Sequence, residues 1–299
     1  MVSAIAFFGA IESGLLFGLV AFGVFIAFRI LDFPDLTVDG SFPLGAAVAA
    51  TLIVLGWNPW LATAMAIAAG FAAGALTAWL NVRLQIMNLL ASILTMIALY
   101  SINLRIMGKP NVALLGDETI FTPMDNWDLP YYLSAPLLIS AVVLVVFVLL
   151  VRFMTSETGL AMRATGVNSK MARANGIHTG RLTILGVALA NGLVGLAGAL
   201  FAQSQGTADV TMGVGTIVVG LAAVIGGEAI LSTRTIARWI FACLIGAVLY
   251  RLVIALALNA DWIGLKAQDL NLITAVLVTL AIVAPKMKQN LSKRRRGAQ

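Results

Sequence analysis

The chain consists of apolar runs about as long as a bilayer is thick, separated by short polar breaks, and no other feature restricts its folding as severely. Lipid offers backbone amides no partner, so a crossing segment must satisfy them internally, as a helix of about 20 apolar residues over roughly 30 Å of hydrocarbon. About nine crossings are expected on that criterion, at 12–28, 42–55, 60–80, 86–106, 132–151, 182–203, 213–230, 239–258 and 270–284. The composition agrees. Of 299 residues, 61% are hydrophobic and 11% charged, against about 45–50% and 25% in soluble domains. A soluble enzyme, a disulfide scaffold and a disordered regulator are thereby set aside. One cysteine (Cys243) and one histidine (His178) leave neither an internal disulfide nor a Cys/His cluster of metal-ligand spacing. The expected fold is an all-α polytopic membrane protein.

The formal net charge is +6, and in such a chain the first question is which side of the bilayer holds the basic residues. Nothing basic precedes Arg29, so the first span lacks the positive flank of a signal peptide, and the N-terminus is expected outside. Nine crossings then leave 15 of the 19 Lys and Arg on the inner side, among them Arg83, the group from Arg152 to Arg181, and the tail 286–299. That tail, with Lys293 to Arg296, reads as a positive-inside anchor rather than a nucleic-acid patch. The outer loop 108–130, with Asp117, Glu118, Asp125 and Asp128, reads as a solvated loop.

Two places resist continuous helix. Segment 32–43 holds Asp32, Asp35, Asp39, Pro34, Pro43 and Gly40 between apolar runs, and segment 203–215 is polar and glycine-rich. They also resemble each other, since Asp35-Leu36-Thr37-Val38 aligns with Asp209-Val210-Thr211-Met212. The spans before them are the first and the sixth, which run in opposite directions. This is the arrangement of inverted-topology repeats, in which paired broken helices mark a solute path; surface turns are the plainer alternative. A repeat at about 11–106 and another at about 182–285 would flank the polar loop 152–181 in a single domain, 1–299.

In that loop, Asn168 or Ser169 is placed to cap a helix of about two turns, with Gly166 before it and Gly176 after it as hinges. So short a helix cannot bury Met171 and Ile177 alone. Either it docks in a groove of another subunit or it lies on the membrane surface.

Glu157-Thr158-Gly159-Leu160-Ala161-Met162-Arg163-Ala164-Thr165-Gly166, then Asn168, Ala172 and Gly176, then the glycine-rich 192–198, resemble the coupling region of ABC importer permeases of the branched-chain amino acid and ribose type. The stretch from Gly14-Leu15-Leu16 through Asp35-Leu36-Thr37-Val38-Asp39-Gly40-Ser41-Phe42-Pro43 is similar to a subgroup associated with tryptophan and tyrosine uptake. The resemblance implies a type II importer permease fold, an ABC ATPase subunit below, an extracytoplasmic substrate-binding protein above, and a second permease copy, all in a bacterial inner membrane with the C-terminus cytoplasmic. It also implies a coupling helix at 167–177, with Glu157, Gly159, Arg163, Gly166, Asn168, Met171, Ala172, Arg173 and Gly176 meeting the ATPase.

The chain has no phosphate-binding G-x-x-x-x-G-K-[ST] loop and no assembly for nucleophilic catalysis, so no catalytic residue, cofactor or metal is expected. Candidate path residues are Asp35, Thr37, Asp39, Ser41 and Phe42 in the first break and Gln203, Gln205, Thr207, Asp209 and Thr211 in the second. Asp35 and Asp39 are read as half-helix caps before solute contacts. Arg251 is expected to snorkel outward, and Asn88 and Asn103 to bond across helices. The competing function is a secondary transporter driven by an ion gradient through Asp32, Asp35 or Asp39.

Overall fold

The computed structural model describes residues 4–124, 131–231 and 233–258, with the single positions 276 and 279. Ten α-helices form among them: α1 (Ala4–Val24), α2 (Val38–Val54), α3 (Pro59–Leu84), α4 (Asn88–Met107), α5 (Tyr131–Thr155), α6 (Glu157–Val167), α7 (Ser169–Ala174), α8 (Thr179–Gln205), α9 (Thr216–Ile230) and α10 (Ile236–Leu258). Six are long and apolar enough to cross a bilayer, while α2 and α9 are shorter apolar helices. The expected crossing at 270–284, the basic tail 286–299, Asp125, Asp128 and Lys266 lie outside the described residues.

Local chemistry ends the helices where the apolar runs break. The Asn58 side chain accepts from the Trp60 amide at 2.9 Å, and Pro59 opens α3. At the other end, α1 continues into a π-helical turn (Phe25–Ile30), which terminates at Asp32 with φ +52° before Pro34. The break expected at 32–43 is confined to 31–37. Asp39, Gly40, Ser41, Phe42 and Pro43 are already helical in α2, where Pro43, at the sixth helical position, forgoes the bond an amide there would make to the Asp39 carbonyl.

α8 is the axis of the packing, and small residues make it so. Gly70 and Gly74 of α3 lie against the backbone carbonyls of Asn191 and Val187, Gly195 touches Ala66, and Gly45 and Phe42 of α2 meet Gly195 and Gly198. A Cβ at most of these positions would enter a neighbour's backbone, which is the close approach that helix association in lipid requires. Gly192 is an exception, since a Cβ there would find its nearest neighbours at 3.6 Å, an ordinary contact. The arrangement occurs twice. As α3 crosses α8, α10 crosses α1 through Gly14 on Val248 and Gly18 on Leu244; as α2 runs beside α8, α9 runs beside α1 through Gly220 on Val20 and Val24.

Four expectations are corrected. Residues 157–167, read as a polar loop, form α6, capped by Ser156 accepting from the Gly159 amide at 3.3 Å. Gly166 is not a free hinge before α7 but a close contact on the Ile30 carbonyl, whereas Gly176 (φ +80°) does end the short helix in a left-handed turn. Arg251 does not snorkel clear. Its guanidinium lies 3.8 Å from the centroid of the Phe17 ring, whose face offers a cation better company than lipid. The outer loop is also more than solvated chain. Strand β1 (Asn111–Ala113) pairs antiparallel with β2 (Thr207–Asp209) in the register Asn111 to Asp209, and Ile120 is buried.

Gly198→Leu should therefore abolish a monodisperse peak in fluorescence-detected size-exclusion chromatography, because the Phe42 carbonyl cannot retreat without moving α2. Gly192→Ala should elute as the unmodified chain does.

Candidate translocation core and coupling surface

A fully buried carboxylate sits just ahead of α2. Asp35 accepts from the Thr37 amide at 2.9 Å and from Asn191 Nδ2 at 2.6 Å. Asn191, at the middle of α8, in turn accepts from the Ser41 hydroxyl at 2.7 Å, and the hydroxyls of Thr37 and Thr77 lie 2.8 Å apart. These five side chains form one satisfied network inside an apolar core, and buried polar groups are tolerated on that condition. Thr37 and Ser41 were expected near the path; Asn191 and Thr77 were missed, though Asn191 stood out as a lone amide in an apolar span.

Asp39 takes a different role. From the first turn of α2 its carboxylate accepts from the Gly215 amide at 3.2 Å and the Ile217 amide at 2.8 Å, the free donors at the start of α9. It caps a helix 176 residues further along the chain, not its own. Asp35 forms a turn ahead of α2, and Asp209 repeats that turn ahead of α9, accepting from the Thr211 amide at 2.7 Å and the Thr211 hydroxyl at 2.6 Å. These donors hold the Asp209 carboxyl below its usual range.

The remaining candidates divide. Phe42 packs between Phe17 and Phe201, with ring centroids at 5.7 and 5.6 Å. Gln203 is buried, donating to the Thr63 hydroxyl at 2.9 Å and accepting from the Ile120 amide at 3.2 Å. Gln205 is exposed at the end of α8, and Thr207 donates to Asn111 Oδ1 at 2.8 Å. Thr211 and Asp39 line a cavity of about 400 Å³ against α4, together with Asn103. Asn103 does bond across helices, from Nδ2 to the Gly40 carbonyl at 3.3 Å, and Asn88 accepts from Asn81.

At the opposite end, the Asn168 side chain accepts from the Lys170 and Met171 amides at 3.1 and 3.0 Å, so α7 is held as a capped turn projecting from α6. Val167 and Met171 are 88% and 65% exposed and Leu160 is 52% exposed, an apolar surface flanked by Arg163 and Arg173. Glu157, Asn168, Arg173 and Gly176 share the exposure, whereas Gly159 and Ala172 are buried beneath it. Sequence reasoning missed what lies above. Arg29 pairs with Glu228 at the end of α9, its Nε donating at 2.7 Å, and Trp239 Nε1 donates to the same carboxylate at 2.8 Å. A carboxylate inside an apolar helix was the available signal.

Residues 6–283 match the family described as branched-chain amino acid transport system, permease component. The chain belongs to this family. It is 37% identical to a tyrosine transport system permease protein of Clostridioides difficile over 93% of this chain and 91% of that protein. It is also 28% identical to a fructose import permease of Bifidobacterium longum (88% and 74% covered), and 25% identical to the ribose import permease of Escherichia coli K12 (85% and 78% covered). No solved structure gives a significant match. The chain is thus a multi-pass membrane permease of an ABC importer, a transport component rather than a catalytic subunit, and permeases of such systems work with an ATPase and a binding protein. The family assignment favours this over an ion-driven carrier.

Asn191→Leu should leave the Ser41 hydroxyl without its acceptor and one Asp35 oxygen without its donor, at about 1–3 kcal/mol each. The apparent thermal midpoint in detergent is expected to drop by more than about 5 °C, while exposed Gln205→Ala moves it by less than about 1 °C.

Proposed function

We propose that the chain forms one half of a homodimeric importer pore in a bacterial inner membrane, with its N-terminus outside and its C-terminus in the cytoplasm. A small organic solute, an amino acid or aromatic compound, is handed to it by the binding protein; similarity to the tyrosine permease supports that class. ATP hydrolysis lies on the separate ATPase subunit. The single domain 1–299 holds inverted repeats at about 11–106 and 182–285, the coupling loop 152–181 and the basic tail 286–299.

The observation that carries the reading is the meeting of the two breaks, where Asp39 at the start of α2 holds the first amides of α9. Paired broken helices whose starts converge at membrane depth are how transporters build a solute path at a repeat interface. The duplicated packing around α1 and α8, and the duplicated turns at Asp35 and Asp209, support the repeat. The sorting of basic residues supports the orientation.

In this reading Asp39 and Thr211 face the path. Asp35, Thr37, Ser41, Phe42 and Gln203 brace it, and Gln205, Thr207 and Asp209 stand at its outer mouth. On the inner side Glu157, Arg163, Asn168, Met171, Arg173 and Gly176 touch the ATPase, with Gly159, Gly166 and Ala172 fixing the helices that present them. Closure of the ATPase moves α7 with α6, and the pore rocks between outward and inward states.

Reconstituted with its ATPase and binding protein, the chain should admit solute into vesicles only with MgATP; uptake that follows an imposed proton or sodium gradient without nucleotide overturns the proposal. Met171→Glu with Arg173→Glu should cut copurifying ATPase by about tenfold or more while the permease stays monodisperse. Glu228→Gln, which breaks the ion pair with Arg29, should leave ATPase binding intact and lower solute entry per ATP hydrolysed by severalfold, measured on the same vesicles.

A further inference from the structure

A second cavity, of about 700 Å³, opens where α3 ends, α4 begins and α7 leads into α8. Three guanidinium groups from three separate helices line it: Arg83 in the last turn of α3, Arg173 in the last turn of α7 and Arg181 in the first turn of α8. All three residues are exposed, and the lining holds no Asp or Glu. Asp32 falls between Leu31 and Phe33, which reach the cavity, yet it pairs with none of the three; among the described residues the one ion pair is that of Arg29 with Glu228. Arg173 donates from Nε to the Ser169 carbonyl at 3.4 Å and keeps the rest of its five donors. Asn88 accepts from Asn81 through Oδ1, which leaves its Nδ2 as a further donor in the lining. At the start of α8, the His178 side chain makes no capping bond, so the positive end of that helix dipole is not offset there.

Sorting basic residues to one side of a bilayer fixes their number on that side and leaves their positions free. Convergence on one concave wall is a separate feature, because the like charges repel one another and their field is focused there. A compact anion relieves that repulsion, and a guanidinium presents a planar fork of donors that phosphate oxygens match in pairs. The volume suits a small ligand, for which about 300–1,000 Å³ is usual. We infer that this cavity binds a phosphate group, carried by a phospholipid headgroup or by a small soluble phosphate, and that the bound anion ties α7 to α3 and α8. Basic pockets between membrane helices lodge anionic headgroups, and Met87 in the lining and Leu84 beside it, 68% and 53% exposed, offer apolar surface next to the arginines. The anion then sets how freely α7 moves. This goes beyond the importer reading, and the binding itself does not depend on it.

The test uses the full-length permease in detergent at constant ionic strength, and reads the thermal midpoint and amide hydrogen exchange over 169–177. Inorganic phosphate and phosphatidylglycerol are the probes, with sodium chloride and phosphatidylcholine as their controls. At least one probe should raise the midpoint by about 2 °C or more above its control and slow exchange over 169–177 by about threefold or more. A response to phosphate alone assigns the site to a soluble anion, and a response to phosphatidylglycerol alone assigns it to a headgroup; a response to both assigns it to either. Arg83→Gln with Arg181→Gln should remove both effects while the permease stays monodisperse and copurifies its ATPase; if the pair aggregates, Arg181→Gln alone is read in the same way. Arg152→Gln, an exposed arginine of α5 outside the cavity, should keep both effects. No response to either probe, an undiminished response in the double variant, or an equal loss in Arg152→Gln overturns the inference. Loss of ATPase copurification in the double variant makes the cavity part of the ATPase contact and overturns it too, and a raised midpoint with unchanged exchange overturns the tie to α7. The importer reading is decided separately, by MgATP-dependent uptake.

Discussion

Everything in this molecule depends on what happens to backbone amides where a helix starts inside the apolar core. The first amides of a helix have no intrahelical partner, and at membrane depth water is not there to replace it. α9 begins at such a point, and the Asp39 carboxylate, reaching from the first turn of α2, takes its amides at Gly215 and Ile217. Charge and dipole agree, since a carboxylate at a helix N-terminus is favoured. Without that side chain the start of α9 would have to withdraw to the surface, and the cavity lined by Asp39, Thr211 and Asn103 would lose one wall.

Around this point the packing is close, and its pattern occurs twice. α8 carries Asn191 at its centre, and glycines on α2 and α3 bring their backbones against it. Such contacts cannot slide, because each carbonyl already occupies the space a side chain would need. The Asp35, Ser41 and Asn191 network sits in the same plane of contact, so polar satisfaction and close packing reinforce one another. α1, α9 and α10 repeat the pattern: Gly18 and Gly220 meet the side chains of Leu244 and Val24, while Gly14 lies against the Val248 backbone and Gly227 and Gly246 lie against the carbonyls of Ala242 and Ala223.

The existence of the helices was legible, because a run of apolar residues has one way to satisfy its backbone in lipid. So was the capped turn at Asn168, since an Asn ahead of Ser-Lys-Met has free amides within reach. The likeness of Asp35-Leu36-Thr37 to Asp209-Val210-Thr211 pointed to the same turn at both breaks, and both form it. Where reading failed, the cause was distance along the chain. That Asp39 caps α9, that Asn191 holds Asp35, and that Glu228 meets Arg29 are contacts made across 176, 156 and 199 positions, and no local pattern encodes the partner. Residues 157–167 were missed as helix for another reason: their mix of Thr, Gly and Arg gives weak helical periodicity, and Ser156 as a cap, with Met162 buried beneath, overrides it.

These long-range contacts also join the two ends of the molecule. Gly166, in the last turn of α6, lies on the Ile30 carbonyl at the end of the π-helical turn of α1. One residue earlier in that turn, Arg29 holds Glu228 in the last turn of α9, and Trp239 ties the same carboxylate to α10. The N-terminal end of α9 is held by Asp39. α9 is therefore a strut held at one end by the π-helical turn against which α6 packs and at the other by Asp39 in the wall of the cavity. A π-turn stores one extra residue in a helix and can release or shift it without unwinding the rest. On the proposed reading, a push on α7 displaces that turn and moves α9 as a body, and the Asp39 contact delivers the displacement to the solute path. Charge-assisted hydrogen bonds hold both ends of this one helix, and close glycine contacts along α10 make the two helices move together, so a displacement at one end of α9 is carried to the other.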